Sequence, residues 1–108
     1  GNGLVVGTGP MIAGLHKNFG DCVVLKIQDI EVLLVSVAQQ MLDLNQFQTF
    51  GIDPRGKTVV ALKSMQHFRA AFEPIAGSII VCDSGALCTV NYKALNYKKV
   101  PRPIYPLD

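Results

Sequence analysis

The strongest constraint on the fold is a pair of apolar runs, Asp21 to Gln28 and Ile30 to Val37, which turn into one another near Gln28-Asp29. Both are rich in Val, Ile and Leu, whose shapes suit a pleated surface, and two such runs joined by a tight polar turn predict an antiparallel hairpin. The second run, IEVLLVSV, is apolar on both faces. That pattern belongs to a strand covered on both sides, so Ile30 to Val37 is expected at the centre of a sheet. Leu4 to Ala13 is also extended in character, but Gly7, Gly9 and Pro10 interrupt it, which predicts a bent strand or edge segment.

The second half of the chain carries helical signals. Asp43 has the character of an N-cap with Gln46 three residues on, Leu44 and Phe47 share a face, and Gly51 supplies a stop. Ile52 to Gly56 reads as a turn that leads into a Val-rich strand at Lys57 to Leu62. Ser64 then reads as the N-cap of a second helix, with Met65, Phe68 and Phe72 on its core stripe and its end near Pro74. Ser78 to Cys82 reads as a further strand. Strand, helix and strand joined over about fifteen residues predict a parallel, right-handed crossover. The expected fold is therefore a mixed α+β or α/β domain, in which one mixed sheet combines the antiparallel hairpin with a C-terminal βαβ unit. Ala86 to Asp108 is expected to hold one helical turn and then, with Pro101, Pro103 and Pro106, to run as an extended, Pro-rich tail.

Composition narrows the class. At 108 residues the chain fits one domain, residues 1–108, and with 49% hydrophobic against 17% charged residues it is too apolar for disorder. Its longest apolar runs fall far short of the ~20 residues that span a bilayer, so no membrane partner is expected. Ten Lys and Arg against eight Asp and Glu leave a net charge of +2. The basic cluster Lys93, Lys98, Lys99 and Arg102 has only Tyr92 and Tyr97 interleaved with it, so nucleic acid is not expected either. Cys22, Cys82 and Cys88 make an odd count without a CxxC pair, against both a disulfide framework and a zinc cage, and consistent with a reducing cytoplasm. The chain opens Gly1-Asn2-Gly3 and runs straight into patterned sequence, as expected of an internal cut in a longer protein. HExxH, GxSxG and Walker loops are all missing, and no complete active site can be assembled from these residues.

What chemistry the sequence does offer gathers around Ser64. A capped helix N-terminus preceded by Lys63 would make an anion site, and His67, turned away from the stripe of Met65, Phe68 and Phe72, would face a cleft. In the crossover, Lys63-Ser64 and Asp83-Ser84-Gly85 would emerge side by side at the edge where open α/β sheets hold ligands. Arg69 precedes Glu73 by four residues, so a surface ion pair explains it without a ligand, and it lies on a different face from His67. The candidate substrate- or anion-binding residues are thus Lys63, Ser64, His67 and Arg69, with no metal ligands in this chain. His16, without a second His or carboxylate at ligand spacing, is not among them.

These residues also carry a resemblance. Gly9-Pro10-Met11 with Gly14, the hairpin, Gln48-Thr49-Phe50 before Gly51-Ile52-Asp53-Pro54, the run KSxxHFRAxF from Lys63 to Phe72, and the ending Arg102-Pro103-Ile104-Tyr105-Pro106-Leu107-Asp108 resemble the C-terminal domain of the microcystinase C family of zinc metallopeptidases. The likeness runs through nearly the whole chain, departing where Asp83-Ser84-Gly85 stands for a longer Asp-x-Pro-Gly turn. It implies a parent of several hundred residues whose upstream N-terminal domain holds the zinc, and a reaction class, metal-assisted hydrolysis of a peptide or amide bond; linearised microcystin is the family's founding substrate. On this reading the chain is an accessory domain that walls the substrate cleft, its partners being that N-terminal domain and a small peptide or amide substrate. Two other readings stand beside it: a structural or oligomerisation domain, self-associating as a homo-oligomer, and an independent small-anion binding module.

Overall fold

The computed structural model describes residues 1–85 and 91–108. Cys88, and the start of the tail at Ala86, lie outside the described residues. Strands β1 (Asn2–Val6), β2 (His16–Ile27) and β3 (Ile30–Val35) form a three-stranded antiparallel sheet in the order β1-β2-β3. The hairpin is where the apolar runs predict it, with Ile27 opposite Ile30 and Gln28 at φ +54° in the turn. β2 begins five residues earlier than the pattern implies, because its first half pairs with β1. The reason is a bulge. Asn2 lies opposite Asp21 while Leu4 lies opposite Asn18, so β2 has one residue more than β1 over this stretch, and Gly20 takes it up at φ +71°. The bulge re-aims the strand so that both Phe19 and Cys22, three apart, are buried against Val5.

β3 departs from expectation in its place. Instead of the centre it occupies an edge, and Ile30, Val32, Leu34 and Val35 are all exposed.

Helix α1 (Asn45–Gln48) and helix α2 (Arg69–Phe72) are each a single turn. A second small core joins them: Leu44, Ala71 and Phe72, with Phe47, Val60, Leu62 and Phe68 packed around, and the rings of Phe47 and Phe72 meeting edge to face at 6.2 Å. The predicted helix from Ser64 is shorter than its stripe suggested. Residues 65–68 form bends and turns, and regular helix starts only at Arg69. Met65 is exposed rather than part of the core stripe. A short helix cannot offset its own nucleation cost, so it persists only where Ala71 and Phe72 bury a face on Leu44.

Residues 57–62 and 78–82 are not strands: neither belongs to a ladder among the described residues. The parallel crossover is therefore not formed, and the sheet is antiparallel throughout. The tail has a 3₁₀ turn at Tyr92–Ala94, as expected of it, but is not extended to its end: it finishes in a closing turn in which Asp108 accepts from Arg102 and from the Ile104 N–H, both at 2.7 Å.

One buried carboxylate ties the sheet to α1. Asp43 has no exposed surface, and it accepts hydrogen bonds from the Thr8 N–H at 2.7 Å, the Gly9 N–H at 2.5 Å, the Thr8 hydroxyl at 3.2 Å and the Asn45 N–H at 2.8 Å. Gln46, also buried, returns the cap: its Oε1 accepts from the Asp43 N–H at 2.9 Å, the reciprocal bond a capping box requires. The Asp43 carboxylate itself reaches Asn45 and the Thr8-Gly9 loop, so the predicted cap also acts as a long-range clamp.

Candidate functional site

Lys63, Ser64 and His67 lie on one short, non-helical stretch of chain rather than at a helix N-terminus. The chain from 61 to 67 runs along the segment 38–41 that follows β3. The Ser64 hydroxyl donates to the Met41 carbonyl at 3.3 Å, and His67 Nδ1 lies 3.2 Å from Gln40 Oε1. Lys63 is exposed at the mouth of a hollow of about 860 Å³ whose walls are β3, the 38–41 segment and residues 61–63. With its hydroxyl engaged on Met41, Ser64 caps no helix, and the one-turn α2 begins five residues later. The site is thus an open wall bearing a cation and an imidazole, with Gln40 beside the ring.

Arg69 stands apart. Its guanidinium lies 3.5 Å from Glu73 and stacks 5.6 Å from the centroid of the Phe68 ring, which is the surface ion pair the four-residue spacing allows. Asp83 forms a local turn in which its carboxylate accepts from the Gly85 N–H at 2.8 Å. The strand pairing that would set it beside Lys63 is not made.

Sequence reasoning missed Gln40 as the neighbour of His67, because contacts across 27 residues leave no local signal. It also missed Glu31, at the far end of the same edge of β3. Glu31 bonds the Lys57 ammonium and has Lys26 3.8 Å away. The hydrogen bond from Lys57 holds its carboxyl below the usual range, against the opposing effect of burial. Alternation of Glu31 with apolar neighbours in β3 was the only cue available.

The donor set for a metal is poor. Among the described residues no three His, Cys, Asp or Glu side chains come together. Among the same residues no helix is long and apolar enough to cross a membrane.

Comparison with known proteins agrees with the motif reading. Residues 1–99 match the family model described as MlrC C-terminus. The chain is 23% identical over 97 residues to microcystinase C of a Sphingomonas species, an alignment covering 90% of this chain and 18% of that protein. The chain therefore spans less than a fifth of the length of that relative. No solved structure gives a significant match.

Proposed function

Because this chain belongs to the MlrC C-terminus family, we propose that it is the accessory domain of a zinc-dependent peptidase or amidohydrolase, forming one wall of the substrate cleft. The observation that carries this reading is the family match itself, joined to the exposure of both Lys63 and His67. Among the described residues no set of donors fits a zinc ion, so on this reading the metal is held by the remainder of the protein, and no step is assigned to it through this chain. What these residues contribute is binding. The Lys63 ammonium is a compact, mobile cation suited to a substrate carboxylate or to charge developing on a carbonyl oxygen. His67, steadied by Gln40, supplies a second donor or acceptor at the same wall. Ser64 positions the pair by fastening the segment to Met41. Arg69, engaged by Glu73 and the Phe68 ring, is not assigned to this wall.

Lys63→Met in the full-length protein tests this. A charge-assisted hydrogen bond is worth about 1.5–3 kcal/mol, so kcat/KM should fall by roughly 10- to 100-fold, with the melting temperature unchanged. Unchanged turnover with lost stability or assembly favours the purely structural role instead. That second reading has its own support in the exposed apolar side chains of Val59, Ile80 and Val81.

A further inference from the structure

We infer that the edge of β3, unpaired among the described residues, and the segment 57–63 are the two banks of a slot for one additional β-strand, supplied by the remainder of the full-length protein. The inference rests on the reading of this chain as one domain of a longer protein.

The first observation is the conflict between the pattern of β3 and its position. Ile30–Val35 is apolar on both faces, as a central strand is, yet it lies at the edge of the sheet. The hairpin register sets which of its backbone groups are spare. Ile27 pairs with Ile30 across the two-residue turn, and the Ser36 N–H donates to the Asp21 carbonyl at 3.0 Å. Alternation between those points turns the N–H and C=O groups of Glu31, Leu33 and Val35 away from β2, toward the open edge. Native edges are blunted with proline, bulges or charge, whereas this one carries a single charge, Glu31, already engaged by Lys57.

The second observation is the opposite bank. Thr58 to Lys63 alternates like a strand, with Val60 and Leu62 packed on the second core and Val59 80% exposed. Among the described residues these six make no backbone–backbone hydrogen bond. Two hollows of about 740 and 860 Å³ follow one another between the banks and share Glu31, Val32, Phe47 and Ala61. The first joins residues 29–32 to 56–61 and the second joins 31–36 to 61–63, so the banks run in the same direction with a continuous trough between them.

An extended, β-branched or aromatic segment laid in this trough would bond both banks and cover their apolar side chains, the geometry of strand addition. Its source follows from length: the alignment covers 18% of the relative, leaving more than four-fifths of a protein of that size to supply it.

Hydrogen exchange and cross-linking, both read by mass spectrometry on the full-length protein, test the slot without any substitution. The expected result is that peptides covering 31–35 and 58–62 exchange on the order of 100-fold more slowly than unpaired amides, with cross-links from Lys57 and Lys63 leading to a segment outside these 108 residues. Fast exchange at either bank overturns the proposal, whatever Lys63→Met does to turnover. Protection whose cross-links lead to another part of these 108 residues overturns it too, since the chain then closes its own gap, as do cross-links between two copies, which show that a second copy fills it.

Discussion

Among the described residues, the Asp43 carboxylate accepts four hydrogen bonds, three of them from the Thr8-Gly9 loop. Burial alone would raise its pKa, but the backbone N–H groups of Asn45, Gly9 and Thr8 and the Thr8 hydroxyl outweigh that and hold it below the ordinary value of 3.8. A depressed folded-state pKa means the unfolded chain takes up the proton first. The stabilisation from Asp43 is therefore complete above about pH 4 and is lost as pH falls through the folded value. Asp43→Asn keeps the size but cannot accept at both positions. It should cost about 1.5–3 kcal/mol at pH 7 and much less at pH 2, as measured by urea unfolding at the two pH values. The cap role of Asp43 was legible from Gln46 three residues on. Its grip on Thr8 and Gly9 was not, because a loop 34 residues away leaves no mark on local periodicity.

At the scale of elements, the loop between β1 and β2 is held shut by two backbone bonds. The Gly7 N–H donates to the Leu15 carbonyl and the Gly14 N–H donates to the Gly7 carbonyl, each at 2.9 Å. A Cβ on Gly7 would sit 2.1 Å from the Ile12 carbonyl oxygen, an overlap only backbone movement can relieve. Gly7→Ala should therefore break the loop and lower the melting temperature by about 10 °C or more, on the usual scale of a few degrees per kcal/mol. Circular dichroism melts would check it, and a shift under about 2 °C would show the loop to be pliant. The glycines of this stretch were read from sequence only as interruptions of a strand. Their actual role is close backbone approach, which composition does not distinguish from a break. The same limit applies to Gly20, which directly precedes the apolar run from Asp21 and is a bulge inside a longer strand.

Across the whole molecule, the two small cores leave much apolar surface in water, from Ile30 on β3 to Val59, Ile80 and Val81. The scattered donors give a plain expectation: the 108-residue chain, loaded with zinc and dialysed against a weak chelator, should retain well under one equivalent by metal analysis. Full retention would move the metal centre into this chain. The sequence by itself determined the hairpin, the cap at Asp43, the Arg69–Glu73 pair and the family, because each depends on residues close in the chain or on a run of motifs in fixed order. Which strand is central, how far Ser64 is from a helix, and which residue meets His67 were decided by tertiary structure. Those outcomes turn on pairing between distant segments. Residues 57–62 and 78–82 have the composition of strands, but a strand exists only when a neighbour bonds its edge, and no local pattern states whether that neighbour is present.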